Sequence, residues 1–196
     1  LCLMTSQFFQ AVLFDMDGLT IDSEPQWLEV ERELTARFGY QWTLEDQAFC
    51  LGGPLSRVGQ YMSEMVNGAE SGEYFHQGLI SEMAKKVRAR AVFMPGAQSL
   101  INSLYKSEIP IALVSASPRV IVDAALAHIQ PLPFKTTISS DDVSKTKPDP
   151  EGYLKAAKEL DVDIKQTLIF EDSVTGVNAA RASGARQPAS HGDPPQ

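Results

Sequence analysis

Cysteine, basic clusters and long apolar runs are all scarce in this sequence. Two cysteines among 196 residues, Cys2 and Cys50, are too few and too far apart for a disulfide framework or a zinc site. Lysine and arginine form no block, and 17 basic against 25 acidic residues give a net charge of −8, which disfavours nucleic acid and anionic membranes as partners. No apolar run approaches the roughly 20 residues of a membrane-spanning helix, and the first residues lack the basic start of a signal peptide.

These absences favour a globular protein that acts on a small molecule. A hydrophobic content of 43% is enough for one well-formed core, or for a core with a small inserted module. The low cysteine content suits a reducing compartment, so we expect a cytoplasmic protein. The sequence carries no signal for oligomerisation, and a monomer is expected.

Short β-rich apolar runs alternate with helical patterns along most of the chain. The runs at residues 11–14, 109–115, 135–139 and 167–170 are predicted strands. Apolar stripes at helical spacing lie between the later runs, and the stripe before the fourth run consists of Tyr153, Leu154, Ala157 and Leu160. This alternation favours the α/β class, with a doubly wound parallel sheet covered by helices on both faces.

One long interval interrupts the alternation. Residues 24–90 have an almost entirely helical pattern, including an apolar stripe from Trp27 to Phe38 that ends at Gly39. A "TLED" capping box at 43–46 begins the next helix. We therefore predict a helical insertion after the first strand. The predicted organisation is a core of residues 1–22 and 91–185, a helical cap of residues 23–90 and a disordered tail of residues 186–196, which has no apolar run.

Polar clusters follow the predicted strands, at the end of the sheet where α/β proteins bind ligands. Asp15 and Asp17 come directly after the first apolar run. Two carboxylates this close indicate a nearby cation or a reaction site, because leaving water costs each of them several kcal/mol unless a positive charge compensates. The later clusters supply hydroxyls, an ammonium and two further carboxylates, from Ser115 and Ser117 of "SASPR", Lys147, Glu171 and Asp172.

This set of side chains fits a phosphoryl group beside a magnesium ion. Mg²⁺ prefers hard oxygen ligands, which Asp15 and Asp172, with Glu171, would supply. Lys147 and the turn at residues 115–116, which includes the backbone of Ala116, would hold the phosphoryl oxygens. The predicted cofactor is therefore Mg²⁺, and the predicted partner is a small phosphate ester.

The two aspartates after the first strand suit a two-step reaction. Asp15 would attack phosphorus to form an aspartyl-phosphate, while Asp17 would protonate the leaving oxygen and later deprotonate water. Each residue alone also has a structural interpretation: an aspartate after a strand often forms a turn, and Ser115 alone would more often cap a helix. The joint occurrence of the clusters at successive strand ends favours a catalytic site.

The motifs resemble those of the haloacid dehalogenase-like superfamily. The matching segments are "DMDG" at 15–18, Ser115 at the end of an apolar strand, "KPDP" at 147–150 and "FEDSVTGVNAA" at 170–180. The resemblance covers residues 11–185 and implies a Rossmann-like core. It also implies that Asp17 gives its backbone carbonyl to the metal, in addition to the roles above.

A second resemblance concerns the helical insertion. "DSEP" at 22–25 before the insertion resembles the branch with an α-helical cap, which includes β-phosphoglucomutase and phosphatases of sugar and hexitol phosphates. At the position of Trp27 the mutase has a histidine. The hexitol-phosphate and 2-deoxyglucose-6-phosphate phosphatases resemble this chain in having a tryptophan there, so hydrolysis of sugar or polyol phosphates is expected. Gly52 and Gly53 in "LGGP" resemble the cap loop that contacts the leaving group.

Alternatives stay open at this point. Trp27 is equally well explained as an aromatic of the cap core, and the two glycines as a plain turn between helices. A phosphosugar mutase is the alternative reaction. A catalytically weak form that only binds its ligand is a third possibility, because the relatives' last strand has no apolar counterpart here.

Overall fold

The structure is a computed structural model that describes residues 9–188, and it contains a parallel sheet of four strands. The strands are β1 (Ala11–Phe14), β2 (Ile111–Val114), β3 (Thr136–Ile138) and β4 (Thr167–Phe170), in the order β3-β2-β1-β4. β1 and β2 are buried at every position, as expected for parallel strands covered on both faces. Each strand lies within a predicted apolar run, and the α/β class is confirmed.

Eight α-helices accompany the sheet in the part of the chain that is described. They are α1 (Glu24–Ala36), α2 (Leu44–Cys50), α3 (Leu55–Met65), α4 (Gly72–Arg90), α5 (Ala97–Lys106), α6 (Arg119–Leu126), α7 (Glu151–Glu159) and α8 (Val174–Ser183). The capping box predicted at 43–46 is present, with the Thr43 hydroxyl accepting from the Asp46 N–H and the Asp46 carboxylate accepting from the Thr43 N–H. None of these helices has the length and apolar content needed to cross a membrane.

The chain divides into two compact units. The sheet unit comprises the described residues up to Thr20, residues 93–119 and the described residues from 129 onward, and the helical unit comprises residues 21–92 and 120–128. The sequence assigned all of 91–185 to the core, whereas residues 120–128 group with the helical unit. Five of the eight α6 residues are buried, and they span more than one helix face. Its apolar stripe therefore did not specify which unit it packs against.

In the sheet unit, α7 packs on β1, β2 and β3 and contacts α8. The core beneath these helices contains small and branched apolar side chains together with one tyrosine: Leu13, Ala112, Val114, Ile138, Tyr153, Ala156, Ile169, Ala179 and Ala180. From β1 the chain continues to β2 and β3 on one side, and β4 then pairs with the other side of β1. The strand order thus reverses between β1 and β4, and this is where doubly wound sheets bind ligands.

The segment after α8 returns to the sheet. Arg186 forms a parallel bridge with Leu168, in which Ile169 N donates to Arg186 O and Arg186 N donates to Thr167 O, both at 3.0 Å. The prediction of disorder from residue 186 was therefore wrong at its first position. Backbone pairing does not require an apolar side chain, and the hydropathy pattern could not reveal it. The part of the predicted tail from 189 onward lies outside the described residues.

In the helical unit, α4 packs against both α1 and α3. The interior contains fully buried side chains of α1 and α4, including Leu34, Phe75, Leu79 and Met83. α3 and α4 approach closely at Gly59, where a Cβ would lie 2.4 Å from Gly72 O. Glycine at this position therefore permits the packing of the two helices.

A buried carboxyl group in the helical unit gives a prediction about pH. Glu31 is 6% exposed, and its Oε2 accepts a hydrogen bond of 2.9 Å from Trp42 Nε1. Burial raises the pKa of Glu31 from 4.5 to about 7, although the Trp42 hydrogen bond lowers it. The folded state therefore favours the protonated form of Glu31. Protonated Glu31 stabilises the fold at low pH, and this contribution is lost as the pH rises from 4.5 through about 7.

We expect Glu31→Gln to stabilise the protein at pH 8 by about 1–3 kcal/mol and to have little effect at pH 5. Glutamine keeps an acceptor for the Trp42 indole but carries no charge. Urea unfolding at both pH values measures the difference, with Glu64→Gln at an exposed position of the same unit as the control. Equal stabilisation at both pH values would show that the charge of Glu31 is not its cause.

Candidate active site

The carboxyl ends of the strands bring the predicted motifs to one edge of the sheet unit. Phe14 pairs with Leu113 of β2 and with Phe170 of β4, and the Phe14 and Phe170 rings stack with centroids 5.3 Å apart. Asp15 directly follows β1, and its N–H donates to Phe170 O at 3.1 Å. The residues that directly follow β1, β2 and β4 therefore lie at the same level of the sheet.

The turn after β1 is fixed by its own backbone. The Thr20 hydroxyl, which is fully buried, donates to Asp15 O at 2.5 Å, and Thr20 N donates to Met16 O at 3.0 Å. Gly18 has a φ of +77°, and a Cβ there would lie 2.5 Å from Asp172 Oδ2. Glycine therefore allows both the turn and the close approach of the Asp172 carboxylate.

The Asp17 carboxylate is bound to the loop after β2. Its Oδ2 accepts hydrogen bonds from Ser115 Oγ at 3.1 Å and from Ser117 Oγ at 2.8 Å. The loop is itself ordered, because Ser117 N donates to Ser115 Oγ at 2.9 Å and Ser115 N donates to Ile138 O at 2.8 Å. The two hydroxyls restrain the Asp17 carboxylate, as its predicted role as general acid and base would require.

Lys147 is the positive charge at the centre of the cluster. Its Nζ forms ion pairs with Asp15 Oδ1 and with Glu171 Oε1, the latter at 2.5 Å, and donates to Val114 O at 2.9 Å. The side chains of Lys147, Asp15 and Glu171 are only 8%, 9% and 3% exposed. Water therefore screens these charges weakly, and each contact is stronger than it would be at the surface.

Carboxylate oxygens converge beside this lysine. Asp15, Glu171 and Asp172 each offer an oxygen within 4.8 Å of the others. The Glu171 carboxylate can occupy this position because residue 176 is a glycine. A Cβ at residue 176 would overlap the carboxylate. The prediction of these three residues as a possible ligand group is thus consistent with their positions. The Asp17 carboxylate instead accepts hydrogen bonds from Ser115 and Ser117. Coordination of the metal by the Asp17 backbone carbonyl stays a prediction.

The electrostatics of the cluster favour an added cation. Burial raises the pKa of Asp15, an effect that Lys147 opposes and the neighbouring carboxylates reinforce. Burial and the charge of Glu171 also raise the pKa of Asp172. Burial alone would lower the pKa of Lys147, but the Asp15 and Glu171 charges raise it above its usual value. Three carboxylates thus face one ammonium, and the hard oxygen donors are those that Mg²⁺ prefers, so the residues present fit this metal.

The sheet unit contains six predicted site side chains in mutual contact or close proximity: Asp15, Asp17, Ser115, Lys147, Glu171 and Asp172. Ala116 is exposed in the loop between the two serines, where its backbone would be accessible to a phosphoryl group. In the helical unit, Trp27 is half-buried in α1, and Gly52 and Gly53 lie between α2 and α3, with Gly52 at a φ of +70°. Substrate contacts by these three residues stay predictions.

Two residues that contact the site had no role assigned from the sequence. Ser117 was part of the polar cluster after β2 without a role of its own, and its hydroxyl donates to Asp17 Oδ2 at 2.8 Å, against 3.1 Å for Ser115. Tyr153 was assigned to an apolar stripe, but its hydroxyl hydrogen-bonds to Glu171 Oε1. The signal for Tyr153 was a phenol in a stripe of aliphatic residues, because a buried hydroxyl requires a partner.

Comparison with known sequences gives a family match along nearly the whole chain. A sequence model of the haloacid dehalogenase-like hydrolase family matches residues 12–189. The validoxylamine A 7'-phosphate phosphatase of Streptomyces hygroscopicus subsp. limoneus is 31% identical over 185 residues, covering 90% of this chain and 83% of that protein. The fructose-1-phosphate phosphatase YqaB of Escherichia coli K12 is 28% identical over 179 residues, covering 90% and 93%.

The fold also matches solved structures. A Thermotoga maritima protein assigned as a β-phosphoglucomutase superposes with a TM-score of 0.75 at 27% identity. The match covers 94% of this chain and 88% of that protein. The fold of this chain is therefore the one found in that solved structure.

Proposed function

Because the chain belongs to the haloacid dehalogenase-like hydrolase family, we propose that it is a magnesium-dependent phosphatase that hydrolyses small phosphate monoesters through an aspartyl-phosphate on Asp15. The observation that carries this proposal is the contact of the Asp15 carboxylate with the buried Lys147 ammonium, beside two further carboxylates. Relatives named as phosphatases support the reaction class.

Asp15 is the proposed nucleophile. One of its carboxylate oxygens attacks phosphorus, the bond from phosphorus to the ester oxygen breaks, and the leaving oxygen takes a proton from the Asp17 carboxyl group. Asp17 then removes a proton from water, whose oxygen attacks the phosphorus of the aspartyl-phosphate. This second step releases inorganic phosphate and restores Asp15 and the protonated Asp17.

The other polar groups of the site stabilise charge. Lys147 and the loop at residues 115–117, with the backbone of Ala116, would bind the phosphoryl oxygens, whose charge is spread in the transition state. Asp15 and Asp172 would hold Mg²⁺, with Glu171 and the Asp17 backbone carbonyl as further ligands. When bound, the metal supplies neutralisation of negative charge on the phosphoryl oxygens.

The proposed substrates are sugar or polyol phosphates. The relatives named above are, by their names, phosphatases of fructose 1-phosphate and validoxylamine A 7'-phosphate, and a further relative from Thermotoga maritima is named as a phosphatase of phosphorylated carbohydrates. In this proposal Trp27, Gly52 and Gly53 of the helical unit contact the leaving group. These positions carry the choice among esters, because the residues after the strands bind the phosphoryl group that all such esters share.

A phosphosugar mutase is the second candidate, favoured by the structural match to the Thermotoga maritima protein. Trp27, at the place where the mutase has a histidine, favours hydrolysis instead. Incubation with β-glucose 1-phosphate and a trace of glucose 1,6-bisphosphate separates the two. Release of inorganic phosphate supports the phosphatase, and accumulation of glucose 6-phosphate supports the mutase.

We expect phosphate release from at least one ester in a panel of hexose, hexitol, pentose and glycolate phosphates assayed with Mg²⁺. Removal of divalent ions with EDTA should lower the rate on the order of 100-fold, because the carboxylate cluster is left uncompensated, and added Mg²⁺ should restore it. A phosphate-release assay measures both effects. A rate that EDTA leaves unchanged would contradict the metal dependence, and inactivity toward the whole panel would contradict the substrate class.

A further inference from the structure

A tyrosine of the core reaches into the candidate active site. Tyr153 lies in α7, is completely buried and belongs to the apolar core of the sheet unit. Its hydroxyl donates a hydrogen bond to Glu171 Oε1. A phenol offers an O–H donor and an ionised carboxylate can only accept, so the hydroxyl is the donor in this bond. Packing alone would be satisfied by a phenylalanine.

Glu171 has little freedom in this position. The same Oε1 that accepts from Tyr153 lies 2.5 Å from Lys147 Nζ, and Oε2 lies 3.4 Å from Ser173 Oγ. The α8 backbone at Gly176 lies against the other side of the carboxylate, so close that a Cβ would overlap it. The phenol and the helix backbone thus define one location for the carboxylate.

Lys147 is the group that this arrangement directs. An ammonium has three N–H donors, and its acceptors here are Asp15 Oδ1, Glu171 Oε1 and Val114 O. Lys147 Nζ also lies 5.1 Å from the centroid of the Tyr153 ring, within the range of a cation–π contact. Tyr153 therefore contacts the lysine directly through its ring and indirectly through Glu171.

We propose that Tyr153 is a positioning residue whose hydroxyl fixes Glu171, so that Glu171 holds the Lys147 ammonium against Asp15. This inference rests on the proposed phosphatase function. A transferring phosphoryl group needs a cation at a defined place, and a small displacement of that cation weakens transition-state stabilisation more than it weakens ground-state binding. The role belongs to the hydroxyl, and the ring contributes packing and the cation–π contact.

Tyr153→Phe tests the hydroxyl alone, since phenylalanine keeps the ring and fills the same space. With p-nitrophenyl phosphate and Mg²⁺ as the assay, we expect kcat to fall about tenfold, the lower end of the range for a hydrogen bond to a charged group. KM should change by less than about threefold, because the loss concerns the transition state. Tyr105→Phe, at a half-exposed position of α5, is the matched control and should leave kcat and KM unchanged.

A double-mutant cycle separates positioning from a general structural effect. Adding Tyr153→Phe to Glu171→Gln should lower kcat by less than about twofold beyond Glu171→Gln alone, because the hydroxyl acts through that carboxylate. A kcat for Tyr153→Phe within about twofold of the wild type, or losses that multiply in the double variant, would overturn the inference. A wild-type protein without phosphatase activity would instead overturn the proposed function, and the inference with it.

Discussion

Asp15→Asn is expected to lower kcat by on the order of 1,000-fold or more while preserving the fold. An amide is a far poorer nucleophile toward phosphorus than a carboxylate, and it is a weaker ligand for a divalent metal. The backbone contacts of residue 15, from Thr20 Oγ1 and to Phe170 O, do not involve the side chain and are retained. Lys147 keeps its ion pair with Glu171 after this substitution, and one of the buried negative charges is removed, so the melting temperature should not fall.

The matched control for this variant is Asp161→Asn. Asp161 is exposed and has a φ of 57°, a left-handed conformation that asparagine adopts readily. We expect wild-type activity from it. Turnover by Asp15→Asn within about tenfold of the wild type would exclude Asp15 as the nucleophile. Circular dichroism on both variants shows whether a loss of activity reflects unfolding.

Lys147→Met should have the second largest effect, on both activity and stability. Removing the ammonium leaves Asp15, Glu171 and Val114 O without their shared donor in a buried site. Loss of one partner from a buried ion pair costs about 3–5 kcal/mol of unfolding free energy. The kcat should fall by at least about 100-fold, since a donor to the phosphoryl oxygens is lost.

Lys145→Met is the control for Lys147→Met. Lys145 lies two residues earlier in the same loop, and its side chain is 74% exposed. Urea unfolding gives the unfolding free energy of both variants, and phosphate-release assays give their kcat. If Lys147→Met and Lys145→Met have the same stability and kcat, the buried ammonium has neither of the roles assigned to it.

The location of the candidate site could be predicted because it depends on local pattern. An apolar run that ends at Asp15 specifies a buried strand followed by a carboxylate, and parallel strands bring such ends to one edge. Glu171 and Asp172 follow β4 for the same reason, and Lys147 belongs to a motif before a helix. The order of strands and polar clusters along the chain therefore contained most of the information about the site.

The hydrogen bonds within the site could not be predicted in this way. The contact of Tyr153 with Glu171 depends on how α7 packs over the sheet, and apolar periodicity records only that the residue is buried. The bonds from Ser115 and Ser117 to Asp17 span about 100 positions of the sequence. Such contacts are set by tertiary packing, and local spacing carries no trace of them.

Errors in the predicted boundaries have similar causes. The helix α6 is buried on more than one face, so its sequence did not show that residues 120–128 group with the helical unit. Arg186 pairs with β4 through its backbone, and its charged side chain gave no indication of a strand position. Hydropathy predicts burial of side chains, and it is silent where main-chain hydrogen bonds decide the structure.

A search for the covalent intermediate tests the proposed role of Asp15 as the nucleophile. The wild-type protein is mixed with its best ester and Mg²⁺, quenched in acid during turnover, digested and analysed by mass spectrometry. We predict a phosphoryl group on the peptide that contains Asp15, at the Asp15 side chain, and none on the same peptide of Asp15→Asn. Turnover by the wild type with the phosphoryl group on a different residue, or its presence in Asp15→Asn, would contradict Asp15 as the nucleophile.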